Sequence, residues 1–489
     1  MHSDKTEELV LETQARATVG AACLPEIVAI IAQRLGRKDI ASSAIVCRAW
    51  SIAFTPLLWK EISCRIPNPN NAAILPPLLD KYGHLIRKLT ITDIPEDWAL
   101  KEPPSRQEPS AIEVLDCASI QNVIDLVIDT GRENKIWFRN IIHRNQHTIR
   151  DLTLRFVTEQ TTRKMPNNHW HGDILFDFPR MMPCLQSLSL SQWQMTREDL
   201  ILVLKASPAL KQLSFSNIRI TTSGNLTRTT QNGSSTINSN HSDKDAEDDT
   251  FQHLGLEVFK MCSKLYPILD LIPNIKTLEF YRFDRQIDSQ ELESFCTSVR
   301  KHCLHLQQIW AYGFECSMLP PVINSLQNGL IAFRGSSDMA TVVSILEHAD
   351  TLESANLSDY TEKTYMPLRF LETCPRLKEF WTGHTSITMT EAQESIQRGW
   401  ACRGLKKLRM NIRKLSPALI EAIMQDLNAE RSRELREQEK QELQVAMSAL
   451  TPEQREFQRE FSMFLKGLTD LTQVNLATGW YIIPQPASQ

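Results

Sequence analysis

The sequence lacks the features that mark several large classes of protein. Its 54 basic and 58 acidic residues leave a formal net charge of -4, which excludes the strong positive field of most nucleic-acid-binding domains. Its longest purely apolar runs are about six residues, far below the roughly 20 that a membrane-spanning helix needs. The first eight residues contain no apolar stretch of the signal-peptide kind. We therefore expect a cytoplasmic or nuclear chain with no nucleic-acid or membrane partner.

Recognisable catalytic motifs are also missing. The sequence contains no Gly-x-x-x-x-Gly-Lys-Ser/Thr, no Gly-x-Gly-x-x-Gly, no His-Glu-x-x-His and no Gly-x-Ser-x-Gly. Residues 167–173, Asn-Asn-His-Trp-His-Gly-Asp, could be drawn as a metal site, but no second ligand group is recognisable by spacing. We predict no catalytic residue, no metal and no cofactor, and we do not expect an enzyme. A hydrolase hidden in the rest of the chain is a distant alternative.

The cysteine pattern does not favour zinc binding or disulfides. Eleven cysteines are present, and no two of them form a Cys-x-x-Cys pair. Cysteines in a cytoplasmic or nuclear protein remain reduced. They are predicted to be mostly buried, as small apolar residues.

Residues 24–62 carry three short motifs in a fixed order. Leu24-Pro25 comes first, Val46-Cys47-Arg48-Ala49-Trp50 follows, and Leu58-Trp59 closes the segment. Proline suits the first turn of a helix and Gly36 suits the position just past its end, so a helix is predicted from about Pro25 to Leu35. Asp39 is predicted to cap a second helix that continues through Cys47 to Trp50.

Both predicted helices are apolar on more than one face. A unit of about 40 residues is only marginally stable without a partner, so the surplus apolar surface indicates that something covers it. A plain helical cap on the rest of the protein is the simpler alternative.

The three motifs resemble an F-box, a family in which they occur in this order within about forty residues. The resemblance implies a three-helix module that docks a Skp-type adaptor and, through it, a cullin, forming an SCF ubiquitin ligase. It also implies which residues contact the adaptor. These are Leu24, Pro25, Glu26, Ile27, Ile31, Val46, Cys47, Trp50, Leu58 and Trp59.

A second pattern recurs downstream of about residue 80: an apolar residue, two others, an apolar residue, one other, and an apolar residue. From Ile275 to Leu405 the successive starts are separated by 31, 24, 22, 25 and 28 residues. The clear starts are Ile86, Ile149, Leu185, Leu210, Ile275, Leu306, Leu352, Leu405 and Leu471, and the weaker ones are Ile112, Leu330 and Leu377.

Each copy predicts a short strand with one buried face, followed by a segment of helical periodicity. One strand and one helix cannot bury their own apolar faces, whereas stacked neighbours can. The pattern resembles leucine-rich repeats, which implies an α/β horseshoe with parallel strands on the concave side and helices on the convex side. Copies before residue 185 are less regular. Unrelated βα units in an ordinary α/β domain are the alternative.

These patterns predict the domain organisation. We expect a flexible N-terminus over 1–20, the F-box over 21–65 and the repeat domain over 80–489. Residues 221–250 have almost no apolar side chains and are predicted to be a disordered insert. Residues 416–465 are dense in charge and predict a long, mainly solvent-facing helix, bent near Thr451-Pro452. A partner-binding helix is the alternative there.

The strand pattern also predicts a substrate-binding surface. Residues between the apolar positions point away from the core, because side chains in a strand alternate between its two faces. This rule places Thr277 and Glu279 on the concave face. Aromatic and basic residues at such positions are typical of binding hot spots. The predicted substrate-binding residues are Tyr281, Gln308, Trp310, Tyr312, Trp381, Lys407 and Arg409. Alternatively, the charged helix or the tail at 480–483 covers both tryptophans.

The expected function is substrate recognition in an SCF-type ubiquitin ligase, with the repeats binding an unknown target protein. The alternative is an F-box adaptor or scaffold that acts without ubiquitin transfer.

Overall fold

Parallel strands alternate with helices along most of the chain that the computed structural model describes. The described residues form two units: those up to 210 with 218–221, and those of 211–217 with everything from 251 onward. The structure describes residues 25–66, 75–93, 119–130, 135–156, 170–171, 182–221, 251–262, 268–281, 287–313, 315–360, 365–413, 415–429, 444, 448, 450–476 and 480–482.

Three helices open the first unit: α1 (Pro25–Ala32), α2 (Arg37–Ala44) and α3 (Arg48–Trp59). The first helix ends three residues earlier than predicted. The prediction of one helix continuing from Asp39 to Trp50 is wrong, because the chain turns at Ile45 and Val46 and α3 begins after Cys47. The N-cap residue of α2 is Gly36, not Asp39 as predicted. Asp39 lies in the first turn, where its carboxylate accepts the Gly36 backbone N–H at 3.3 Å.

The rest of the first unit is a parallel sheet with accompanying helices. Five strands pair in chain order: β1 (Glu61–Ile66), β2 (Lys88–Asp93), β3 (Asp125–Thr130), β4 (Asp151–Phe156) and β6 (Ser187–Ser191). A second, three-stranded sheet contains β5 (Trp170–His171), β7 (Trp193–Thr196) and β9 (Arg219–Thr221). The helices are α4 (Leu75–Tyr82), α5 (Lys135–Asn145) and α6 (Arg197–Ala206).

The second unit contributes ten paired strands, of which the first nine are parallel. The strands are β8 (Gln212–Ser216), β10 (Val258–Cys262), β11 (Thr277–Tyr281), β12 (Gln308–Tyr312), β13 (Ala332–Ser337), β14 (Ser354–Tyr360), β15 (Glu379–Ile387), β16 (Lys407–Ile412), β17 (Gln473–Leu476) and the antiparallel β18 (Trp480–Ile482). The helices are α7 (Ser289–His302), α8 (Leu319–Ile323), α9 (Met339–Leu346), α10 (Arg369–Thr373), α11 (Met389–Arg398), α12 (Pro417–Ala429) and α13 (Pro452–Lys466). The predicted mixed α/β class with parallel strands is confirmed.

The spacing of apolar residues places each strand in register with the next. Leu278 of β11 pairs with Ile309 of β12, and Ile309 pairs with Phe333 of β13; all three side chains are buried. Three strands that carry the same apolar spacing were not among those predicted from the sequence. These begin their patterns at Trp59, Val123 and Leu256 and correspond to β1, β3 and β10.

The connections before successive strands repeat one hydrogen-bonding arrangement. The Lys276 carbonyl accepts the backbone N–H groups of both Gln307 and Gln308, each at 3.0 Å. A threonine just before a strand pattern adds a further bond in two places, where Thr148 and Thr351 donate to carbonyls of the preceding copy at 2.9 Å. Because buried backbone groups need partners, these bonds stabilise the stacking of one copy on the next.

The described parts of 416–465 differ from the predicted solvent-facing helix. They form two helices, α12 and α13, and each buries an apolar side. Phe457, Phe461 and Leu465 of α13 are at most 2% exposed, at a spacing of four residues. The Lys466 ammonium lies 2.9 Å from the Asp426 carboxylate and joins α13 to α12. The prediction of a solvent-facing helix does not hold for these two stretches, whereas 430–443, in the middle of the predicted helix, lie outside the described residues.

Three other predictions fall on residues that the structure does not describe. These are the N-terminal segment 1–20, the repeat start at Ile112 and nearly all of the insert 221–250. No helix in the described ranges combines the length and the apolar composition that crossing a bilayer requires.

The nine described cysteines are free thiols, and five of them are buried. Burial, together with a smaller contribution from the Asp270 carboxylate, raises the pKa of the Cys303 thiol to about 12. Burial also raises the pKa of the Cys402 thiol to about 12. Cys47, in contrast, is exposed. Since the thiolate is the reactive form, buried thiols with raised pKa values are poor nucleophiles at neutral pH.

We expect a thiol reagent at pH 7.5 to modify Cys47 of the native protein quickly and Cys303 and Cys402 only after denaturation. Peptide mapping of the modified protein measures this order. In the Cys47→Ser variant, one fast-reacting equivalent should disappear while the slow phase is unchanged. Fast labelling of Cys303 or Cys402 in the native protein would contradict the packing described above.

Candidate binding surfaces

The structure places the predicted adaptor-binding residues on and between the three N-terminal helices. Leu24 lies outside the described residues, and of Pro25 and Glu26 only the backbone is described. Cys47 is exposed, and its sulfur accepts the Trp50 backbone N–H at 3.5 Å, which caps α3. Ile27, Ile31, Trp50, Leu58 and Trp59 are half-buried, and Val46 is exposed.

One aromatic contact lies within α3 and another joins α3 to α4. Trp50 contacts Phe54 with ring centroids 5.4 Å apart, and Trp59 stacks on Tyr82 at 4.9 Å. Phe54 is completely buried, although it was not among the residues selected from the motifs. The family motif drew attention to Trp50, although Phe54 lies one helical turn later on the same side of α3.

Exposed apolar side chains concentrate in this helical segment. Five of the twelve large apolar side chains that are exposed in the described residues lie in 25–59. They include four residues that sequence analysis did not select. The five are Ile30 (60% exposed), Ile45 (86%), Val46 (66%), Ile52 (68%) and Leu57 (37%). Single exposed apolar residues are ordinary, but a concentration of them indicates an interaction surface.

The second unit brings all seven predicted substrate-binding residues onto one face of its sheet. We call the half-exposed and exposed side chains of β11–β16 that alternate with buried apolar residues the open face. The strand register aligns one residue from each strand into a central row. This row runs Lys260, Glu279, Trp310, Arg334, Asn356, Trp381 and Arg409.

One end of the central row contains a buried carboxylate. Glu279 is 1% exposed, its carboxylate lies 2.9 Å from the Lys260 ammonium, and it accepts the Tyr281 hydroxyl at 2.7 Å. Burial, together with this carboxylate, raises the pKa of the Tyr281 phenol well above its usual value. Thr277 and Glu279 share this face with Gln308 and Trp310, with which they pair, but both side chains are buried, at 7% and 1% exposure, and are not open to a ligand.

Rings and cations line the rest of the open face. Tyr281 stacks on Tyr312 at 5.3 Å, and the Arg334 guanidinium lies 5.4 Å from the Tyr312 ring centroid. The Arg409 guanidinium lies 4.3 Å from the Trp381 centroid. Both distances are within the range of cation–π attraction, which orients the two arginines on the sheet.

Lys407 and Gln308, two further predicted residues, are engaged with neighbouring strands. The Lys407 ammonium lies 2.7 Å from the Glu379 carboxylate, and Gln308 accepts the Thr277 hydroxyl at 3.2 Å. Trp310 is half-buried in the central row. The structure thus brings all seven predicted residues to one face, with Lys407 already paired.

The charged helix and the C-terminal tail were the two segments proposed as alternative covers for the tryptophans of this face. Helix α13 packs against α11 and α12, where Gln393 donates to Glu460 at 2.7 Å and Trp400 meets Phe464 edge-on. Strand β18 pairs with β17, and the side chains of 480–482 are outside the description.

Metal ligation was considered for residues 167–173. Only the backbone of Trp170 and His171 is described there. Among the residues that the structure does describe, no three His, Cys, Asp or Glu side chains are grouped as metal ligands.

No protein-family model matches this chain, and no significant match to a curated protein was found.

Proposed function

We propose that this protein is the substrate-recognition subunit of an SCF-type ubiquitin ligase. In this proposal residues 24–62 are an F-box that binds a Skp-type adaptor, which recruits a cullin. The strands and helices that follow are leucine-rich repeats, and their open face binds a target protein. The chain itself carries out no chemistry.

The observation that carries the proposal is the coincidence of the three motifs with an exposed apolar surface. The Val-Cys-Arg-Ala-Trp motif spans the turn into α3, and Leu58-Trp59 forms its last turn. Ile45, Val46 and Ile52 around this motif expose more than half of their surface. Large apolar side chains that remain exposed beside a packed helix are suited to insertion into a partner.

The second unit supports the target-binding half of the proposal. Parallel strands recur with buried apolar residues on one side and half-exposed residues on the other. Stacked repeats of this kind create extended surfaces, on which aromatic and arginine side chains serve as binding anchors.

Val46→Asp should weaken binding of the full chain to a purified Skp-type adaptor by about thirtyfold, because a hot-spot contact contributes about 2 kcal/mol. Titration calorimetry measures the affinity. Leu304→Asp is the matched control, since Leu304 is 45% exposed but belongs to the second unit. That variant should bind like the parent.

Equal adaptor binding by the parent and Val46→Asp would contradict the assignment of the F-box. Including a cullin in the same reconstitution separates the two functional alternatives. A ternary complex supports ubiquitin transfer, whereas adaptor binding without the cullin supports the scaffold.

A further inference from the structure

We propose that the open face recognises an extended acidic segment of the target, in which two carboxylates stand four residues apart. Arg334 binds one carboxylate and Arg409 binds the other. This proposal rests on the proposed function, because it names the class of target that the repeats would select.

Most lysines on this sheet that lie beside a carboxylate are already paired with it. Where lysine and carboxylate side chains meet across neighbouring strands of the second unit, they form ion pairs at 2.7 to 3.1 Å. These pairs are Lys260 with Glu279, Lys276 with Glu257, Lys378 with Glu353 and Lys407 with Glu379.

Arg334 and Arg409 differ from these lysines. Their guanidinium groups lie over Tyr312 and Trp381, and no carboxylate of the described residues forms an ion pair with either. An arginine stacked on a ring still presents the N–H groups at its edge, and this fork matches a carboxylate. The two arginines are therefore oriented cations that are ready to bind an anion.

The strand register sets the distance between the two cations. Arg334 pairs with Asn356, Asn356 with Trp381, and Trp381 with Arg409, so three strand spacings separate the arginines. At about 4.8 Å per spacing this is about 14 Å. An extended peptide advances about 3.4 Å per residue and alternates its side chains, so residues i and i+4 lie about 14 Å apart on one face.

Asn356 supplies the remaining polar contact. It lies between Arg334 and Trp381 in the central row, and its Oδ1 atom is shielded from solvent without a hydrogen-bond partner. A shielded oxygen without a partner is unfavourable, and the backbone N–H of a peptide crossing the strands would satisfy it once the Asn356 side chain turns toward the open face. Two isolated cations suit a short acidic peptide better than a nucleic acid, whose binding needs many phosphate contacts.

Fluorescence anisotropy with labelled peptides tests the proposal on the full chain. The probe is Gly-Ser-Glu-Ser-Thr-Ser-Glu-Ser-Gly, which has glutamates at i and i+4. Controls are the same composition with glutamates at i and i+3, the peptide with both glutamates replaced by glutamine, and the peptide with phosphoserine at both positions.

We expect the i, i+4 peptide to bind at least about tenfold more tightly than the i, i+3 and glutamine peptides. Arg334→Gln and Arg409→Gln should each weaken binding about tenfold, the effect of losing about 1.4 kcal/mol. Arg376→Gln removes the same charge from an exposed turn before β15 and should change binding less than about twofold.

Absence of binding, equal binding of the i, i+3 peptide, or insensitivity to both arginine variants would overturn the proposal. At least tenfold tighter binding of the phosphoserine peptide would replace carboxylates by phosphates as the ligand. Adaptor binding, measured on the same preparations, keeps the outcomes distinct. If the adaptor binds and the acidic peptide does not, only this inference fails. If the acidic peptide binds and the adaptor does not, only the ligase assignment fails.

Discussion

Replacing Phe54 with alanine is expected to destabilise the N-terminal helices by about 3 to 5 kcal/mol, the usual cost of removing a buried aromatic side chain. Phe54 is completely buried in α3 and contacts Trp50. Hydrogen exchange of peptides from residues 48–59 measures the loss, which corresponds to at least about a hundredfold faster opening. Because the exposed apolar surface belongs to the same helices, adaptor binding should fall as well.

Two variants serve as references for this prediction. Ile52 is on the same helix and 68% exposed, so Ile52→Ala should change stability by less than about 0.5 kcal/mol. Trp50→Ala should have an intermediate effect, since Trp50 is half-buried. A loss for Ile52→Ala as large as that for Phe54→Ala would show that the helices pack differently from this description.

Replacing Lys260 with methionine is expected to destabilise the strands around it by about 3 kcal/mol. The substitution leaves the Glu279 carboxylate, which is 1% exposed, without its opposite charge. The lower end of the usual range applies because the Lys260 side chain is 24% exposed and water can partly replace it. Hydrogen exchange of peptides from β10 and β11 measures the effect.

The double variant Lys260→Met with Glu279→Met provides the test of cause. Removing both charges eliminates the unpaired carboxylate, so stability should return to within about 1 kcal/mol of the parent. If the double variant were as unstable as Lys260→Met alone, packing rather than charge would explain the loss. Arg334 and Arg409 should still bind the acidic peptide in the double variant if it folds, because neither residue contacts this pair.

Much of the fold could be predicted because the apolar spacing is local. Leu405-Lys-Lys-Leu408-Arg-Met410 places every second residue of β16 in the core, and the structure buries Leu408 and Met410. The same spacing was present at Leu256 and was missed because it follows the polar insert directly. Trp59 was missed because that residue had already been assigned to the helical motif.

The helix boundaries were less predictable because capping depends on competition between neighbours. Asp39 was predicted to be the cap residue, yet the backbone turns earlier, at Gly36, and Asp39 bonds back to it from the first turn. In α13, an apolar residue at every fourth position suffices to bury one side of the helix, because α11 and α12 pack against that side. The density of charged residues along a helix does not show which other helices pack against it.

By itself, the sequence determined the mixed α/β class, the parallel strands and which residues share the open face, because these follow from side-chain alternation within single strands. Only the tertiary structure decided which of those residues remain able to bind. Glu279 and Lys407 form ion pairs with residues on adjacent strands. Arg334 and Arg409 instead lie over aromatic rings. The physical reason is that pairing across a sheet joins residues about 20 to 30 positions apart in the sequence. The strand register selects these partners, and no local sequence pattern determines the register.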